Sequence, residues 1–231
     1  MFFLLVCLKK KEIMVVYKDK EDQSNKIKFN KLNSKYLKEI LKDKNNYEYF
    51  HNPYAKHIIL DSKLLNTTKM LLQNNIDINQ IISVENTYTT YLEHRNYGIQ
   101  SYYQDLKEFL SNKNQYGNID SLILDMCGCI SKNQDIAFLA LNNGYINHNT
   151  LLVLTFSKRG RLGDRHSILT EEFISDLTIK SKEKGFNLIE KPRFEYGGWK
   201  KYKIVDKNKK IIIKKKFHHY MSSFYFIFKQ I

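Results

Sequence analysis

Four carboxylates stand at nearly equal intervals, each closing an apolar or aromatic run. His57-Ile58-Ile59-Leu60 ends on Asp61, Gln80 to Val84 on Glu85, Ile99 to Gln104 on Asp105, and Ser121-Leu122-Ile123-Leu124 on Asp125. The intervals of 24, 20 and 20 residues match the length of one strand, one helix and two short turns. In an open parallel sheet the ligand lies outside the carboxyl ends of the strands, so four acids placed there converge on one cleft. Carboxylates in such a cleft accept hydrogen bonds from a ligand rich in hydroxyl and amino groups.

A different chemistry gathers later in the chain. Lys158-Arg159-Gly160-Arg161-Leu162-Gly163-Asp164-Arg165-His166 holds three of the five arginines. The net charge is +14, and 33 of the 38 basic residues are Lys. With frequent Asn, Ile and Tyr, this composition fits an AT-rich genome, so overall basicity says little about partners. The arginines are too few for codon usage to explain their clustering. Guanidinium groups on flexible glycines suit phosphate through bidentate contacts. The same loop also reads as an ordinary solvated one whose arginines pair with Asp164 or Glu171. Cys7, Cys127 and Cys129 are an odd set without C-x-x-C spacing, which argues against a disulfide framework and a zinc site and fits a reducing compartment. His218-His219 has no Cys, Asp or Glu beside it, so no metal is expected there.

The elements that must position these residues follow from periodicity. At 231 residues and 42% hydrophobic, the chain can bury one large α/β core. Residues 1–54 read as an extension and 55–231 as the main domain. The extension has two short apolar pieces, the first either real or an artefact of a start at Met14, and a helix over roughly 34–43 capped by Ser34. Phe2 to Leu8 is too short to span a bilayer and lacks the features of a secretory leader. No membrane partner is expected, and a cytoplasmic location is. Helices are predicted after Asp61, at Tyr88 to Leu92, after Asp105, at Ile136 to Leu141, and from a cap at Thr170 to a stop at Gly185. Leu151 to Phe156 reads as a fifth strand buried on both faces. Phe186 to Glu190 and Phe224 to Phe228 supply two more, and residues 207–216 read as a basic hairpin arm.

Seven strands in that order, the last pair joined without a helix, resemble the class I S-adenosylmethionine (SAM)-dependent methyltransferase fold over roughly residues 55–231. The resemblance implies a Rossmann-like, mostly parallel seven-stranded sheet with helices on both faces and an antiparallel last strand. It also implies SAM as cofactor. Asp61 falls where an acid opens the methionine-binding turn, Glu85 where an acid holds the ribose hydroxyls, and Asp105 where an acid meets the adenine amino group. Asp105 also reads simply as the N-cap of the next helix. Asp125 falls where the catalytic motif begins. The first turn departs from the family: it has no glycine, so either Asn66-Thr67-Thr68 supplies side-chain groups in place of bare backbone, or the cofactor site is lost.

Asp125-Met126-Cys127-Gly128 lacks the Pro-Pro-aromatic sequence of amino-methylating enzymes, and Cys127 lacks the Pro-Cys context of cytosine-5 methylation. Ribose 2′-O-methyltransferases resemble this fold and use a Lys-Asp-Lys-Glu tetrad. Asp125 fits its Asp, Lys158 the second Lys, Glu190 or Glu195 the Glu, and Lys35 or Lys38 the first Lys. The reading is a methyltransferase acting on nucleic acid, RNA favoured, with Asp125 and Lys158 catalytic, Asp61, Asn66, Thr67, Glu85 and Asp105 on the cofactor, and Arg159, Arg161 and Arg165 on the substrate. The alternatives are a protein or small-molecule methyltransferase and a non-catalytic binding module.

Overall fold

The apolar runs that precede the four acids become four adjacent parallel strands. The computed structural model describes residues 24–42, 55–126, 128–158, 165–205 and 211–231, and only the backbone of 165–167 and 197–220. Strands β1 (Lys56–Leu60), β2 (Ile81–Glu85), β3 (Gln100–Tyr103), β4 (Ile119–Asp125) and β5 (Leu151–Ser157) run parallel. Two 20-residue strands, β6 (Phe186–Val205) and β7 (Ile211–Gln230), form a hairpin whose β7 lies antiparallel to β5. The sheet order is β3-β2-β1-β4-β5-β7-β6. Both hairpin strands run well beyond the five-residue segments that the apolar pattern marks, because Gly197-Gly198 and clustered lysines interrupt the apolar and aromatic residues of their distal part.

Helices cover both faces: α1 (residues 24–42), α2 (Asn66–Gln73), α3 (Tyr88–Asn96), α4 (Leu106–Ser111), α5 (Ile130–Asn133), α6 (Asp135–Asn142) and α7 (Arg165–Glu183). The two-residue alternation of the strands divides the core. Leu122, Leu124, Leu152, Leu154, Phe224 and Phe226 face α4, α6 and α7, whereas Ile123, Leu151, Val153, Tyr225 and Ile227 face α1 and α2. Each such side chain contributes about 1.5–3 kcal/mol of apolar burial. Central strands buried on both sides explain the hydrophobic run Leu151-Leu152-Val153-Leu154.

Two helix starts differ from expectation. Helix α1 begins ten residues before Ser34, whose hydroxyl is held mid-helix against Asn74 Oδ1 at 2.9 Å. Phe29, Tyr36, Leu37 and Ile40 pack into the core, and the Tyr36 and Tyr225 rings meet at 4.9 Å. An ion pair from Glu39 to Lys191 ties the helix to β6. Helix α7 begins at Arg165, and Thr170 is a buried residue inside it. In both cases the helix continues N-terminally past the residue that looks like its cap. Gly185, at φ +81°, follows α7 in the left-handed region as the C′ position requires.

The turn between β1 and α2 carries an unusual backbone. Leu65, the residue before α2, has φ 55° and ψ 36°, and its side chain is buried in the α1-side core. The left-handed region costs an ordinary residue about 1–2 kcal/mol relative to glycine. Leu65→Ala should keep that strain and lose the packing. Leu65→Gly loses the packing and relieves the strain, so in urea denaturation the Gly variant is expected to be about 1 kcal/mol more stable than the Ala variant.

Candidate functional site

The sheet order sets the four acids side by side. Asp105, Glu85, Asp61 and Asp125 follow or end β3, β2, β1 and β4, which are neighbours in that order. Strands lie about 4.8 Å apart, so the acids line one continuous edge.

Glu85 is the most constrained of them. It is 8% exposed, and its Oε1 accepts from the Asp61 backbone N–H at 3.0 Å and from the Ser83 hydroxyl at 3.2 Å. Burial pushes its carboxyl up from 4.5 to about 7; the neighbouring Asp61 charge adds to that, and the two hydrogen bonds oppose it. Behind it lies His94 of α3, fully buried, with Nδ1 2.6 Å from Ser83 Oγ and 3.8 Å from Glu85 Oε1. His94 Nε2 lies 3.2 Å from the Ser62 carbonyl, which can only accept, so this nitrogen carries a proton. The histidine thus ties the turn after β1 to the acid ending β2.

Asp61 holds the next turn together. Its Oδ1 accepts from Ser62 N–H at 2.8 Å, and its Oδ2 accepts from the backbone N–H and the hydroxyl of Thr68 at 2.8 and 3.0 Å. The carboxylate thereby satisfies a first-turn donor of α2 from seven residues upstream, a substitute for the side-chain cap that Leu65 cannot supply. Asn66 is half-buried, and Thr67 is 2% exposed, so Thr67 presents little surface to the cleft.

Asp105 is exposed and caps α4: its Oδ1 accepts from Lys107 and Glu108 N–H. Both bonds land on one oxygen, which leaves the other oriented away from the cap. Beside it, Tyr88, Tyr91 and Tyr103 form a ring cluster with centroids 5.4–6.0 Å apart. Tyr88 and Tyr103 are more than half exposed, and Tyr103 is the register partner of Glu85. Their rings wall the outer side of the Glu85–Asp105 corner.

The other half of the edge is built from two ion pairs. Lys26 of α1 contacts Asp125, and Lys158, just after β5, contacts Glu195 of β6. Asp125 pairs in register with Thr155, Thr155 with Ser223, and Ser223 with Phe194, one row across four strands. Thr155 and Ser223 hydroxyls meet at 3.0 Å, and Ser222 donates to Glu195 Oε1 at 3.2 Å. Lys158 and Glu195 therefore flank the same row that Asp125 begins.

Several sequence expectations change. Lys35 and Lys38 are exposed on the outer side of α1, and Lys26 reaches Asp125 in their place. Of the two glutamates, Glu195 pairs with Lys158, while Glu190 pairs with Arg193 at 2.7 Å. Arg159, Arg161 and Cys127 lie outside the described residues, as do 206–210 of the basic arm. Arg165 is the first residue of α7. Among the described residues no three His, Cys, Asp or Glu side chains gather to hold a metal ion, and no helix is long and apolar enough to cross a membrane.

Neither family models nor curated proteins give a match to this chain. Solved structures do resemble it. The plantazolicin methyltransferase BamL, in complex with a triazolic desmethylPZN analogue and SAH, aligns with a TM-score of 0.49 at 9% identity, over 95% of this chain and 90% of its own. LepI in complex with SAM aligns at 0.44 and 7%, over 84% and 46%. A SAM-dependent O-methyltransferase from Thermotoga maritima aligns at 0.42 and 10%, over 77% and 60%. Such distant likenesses carry nothing about activity, and the assignment of the fold rests on the sheet itself, whose order places β7 antiparallel between β5 and β6. The fold is that of the class I methyltransferases. In such a sheet the ligand crevice lies outside the carboxyl ends of the strands, so a SAM molecule would lie along the edge where the four acids stand. The residues present fit it: a buried carboxylate at the end of β2, a second at the start of α4, exposed rings beside them, and a left-handed turn before α2.

Proposed function

We propose that the protein is a SAM-dependent methyltransferase acting on nucleic acid, RNA first, at a ribose hydroxyl. The observation that carries this reading is the alignment of Lys26–Asp125 and Lys158–Glu195 along one edge of the sheet. That set has the composition and chain order of the Lys-Asp-Lys-Glu tetrad of ribose 2′-O-methyltransferases. The ammonium groups offer donors that orient the lone pairs of an entering hydroxyl. Asp125 and Glu195 hold those ammonium groups in place, and Lys158 Nζ is the candidate general base for the hydroxyl proton. SAM, when bound, supplies the activated methyl group. Glu85 would hold its ribose hydroxyls, Asp105 its adenine amino group, and Tyr88 and Tyr103 would flank the base. Asp61 and the Leu65 turn, with Asn66 at the start of α2, would meet the methionine end. Arg159, Arg161 and Arg165, which follow β5 in the sequence, would supply guanidinium groups to substrate phosphates.

The test has two parts. Calorimetry with SAM and with S-adenosylhomocysteine is expected to show binding. Transfer of labelled methyl from SAM to RNA is expected to disappear when the acceptor nucleotides are 2′-deoxy. A folded protein that binds neither cofactor form overturns the reading. That outcome supports the second reading, a non-catalytic module that keeps the fold and has lost the cofactor site, which the glycine-free first turn favours.

A further inference from the structure

Helix α1 separates its lysines by face. Lys28, Lys31, Lys35, Lys38 and Lys42 recur at intervals of 3, 4, 3 and 4 residues, and all five are exposed. At 100° per residue they form one stripe opposite Phe29, Tyr36, Leu37 and Ile40. The stripe rises about 21 Å along the helix. Among the residues of α1 the one carboxylate is Glu39, which sits at the flank of the stripe and is paired with Lys191. Lys31, Ser34, Lys35, Lys38, Glu39 and Lys42 line a shallow open groove along it.

A lysine-rich composition alone would load every exposed helix face alike, and α7 shows that it does not. Its exposed positions carry Glu171, Glu172, Asp176 and Glu183 against Lys180 and Lys182. Five like charges at i, i+3 and i+4 repel one another and lower the stability of the isolated helix. An arrangement that costs stability is compensated when a polyanion covers it. The stripe also begins within one turn of Lys26, the residue that contacts Asp125.

We infer that the outer face of α1 is a track for the phosphodiester backbone of a single nucleic-acid strand, leading to the Asp125 end of the cleft. A single row of charge, spaced about 5 Å per step, follows one strand rather than the two phosphate rows of a duplex groove. The inference rests on the nucleic-acid reading of the site, and it concerns binding, so it is tested without methyl transfer.

Fluorescence anisotropy of an unstructured labelled RNA with the full chain, between 50 and 200 mM salt, measures both affinity and the number of phosphates neutralised. Each single-strand contact contributes about 0.7 to the slope of log K against log salt. Lys31→Gln, Lys38→Gln is expected to lower the slope by about 1.4 and weaken binding about twentyfold. The control, Lys182→Gln, Lys184→Gln, makes the same charge change on and just after α7 and is expected to change binding less than threefold. Equal losses in the two variants would show a general charge effect and overturn the track. So would an unchanged slope in the α1 variant, or binding by α1 only to phosphatidylserine vesicles. A matched DNA strand distinguishes the source: equal affinity assigns the track to the phosphodiester alone, and tighter RNA binding adds a 2′-hydroxyl contact. If the track fails while SAM binds normally, the methyltransferase reading stands without it. If RNA binds along α1 and SAM does not bind, the catalytic reading fails and the track survives.

Discussion

Lys158→Ala is expected to reduce methyl transfer to RNA by 10²- to 10⁴-fold, the range that a positioned acid or base contributes, while SAM affinity stays within threefold of the parent. Lys158 sits at the β5 end of the Asp125–Thr155–Ser223 row, away from the Glu85–Asp105 corner where the cofactor's ribose and base would lie. Removing it should therefore act on kcat and leave cofactor binding alone. Asp125→Asn is expected to match that loss, because it leaves the Lys26 ammonium against a neutral amide and misplaces the donor that orients the hydroxyl. Glu195→Gln should cost less, since Ser222 still reaches the remaining acceptor oxygen. Stability separates catalysis from structure. Both ion pairs are partly exposed, and such pairs contribute about 0–1 kcal/mol, so urea midpoints should hardly move. Single-turnover rates decide the matter: a Lys158→Ala enzyme within threefold of the parent rate removes Lys158 from the reaction, and a parallel loss of SAM binding makes its role structural.

Chain order and charge pattern reveal different parts of this site. Asp61, Glu85 and Asp125 could be placed from sequence because each ends or follows a strand buried on both faces, and burial leaves an apolar run that stops at the acid. Asp105 follows the exposed edge strand β3 and was legible instead as a cap, its side chain serving two N–H groups of the helix that follows. Lys26 was hidden by number. Among 33 lysines, only helix phase distinguishes it: it lies three residues before Phe29, on the apolar side of α1, whereas Lys35 and Lys38 fall on the opposite face. Finding that phase requires a helix that starts before Ser34, and the polar early turns conceal it. His94 gave no signal because its partners, Ser62, Ser83 and Glu85, come from two other segments and meet it only through the β1–β2 pairing. Leu65 looked like an ordinary turn residue. Its left-handed backbone is imposed by the short path from β1 to α2 and offset by burial of its side chain.

The affinity for SAM should rise about tenfold between pH 6 and pH 8, and Glu85→Gln should both remove that rise and weaken binding about a hundredfold. A carboxylate gives ribose hydroxyls charge-assisted hydrogen bonds of about 1.5–3 kcal/mol, but only when ionised. With its carboxyl pushed up to about 7, Glu85 is mostly protonated at pH 6 and mostly ionised at pH 8. The groups facing it are Asp61, Ser83 and His94, and Asp61 is the charge that opposes ionisation. The stability of the unliganded protein runs the other way. Because the folded-state value is raised above 4.5, the folded chain holds more protons here than the unfolded one between pH 4.5 and about 7. Stability therefore falls as pH rises through that window, by about 1–3 kcal/mol once partial solvation is allowed for. Glu85→Gln keeps the oxygen that accepts from Asp61 N–H and Ser83, so it should flatten this dependence and stabilise the fold above pH 7. Opposite slopes for binding and folding, both lost in one variant, are the signature of a carboxylate held at the end of β2 for a ligand. A Glu85→Gln protein that is destabilised at pH 8 and binds SAM as before would instead make Glu85 a structural anchor of the β1 turn.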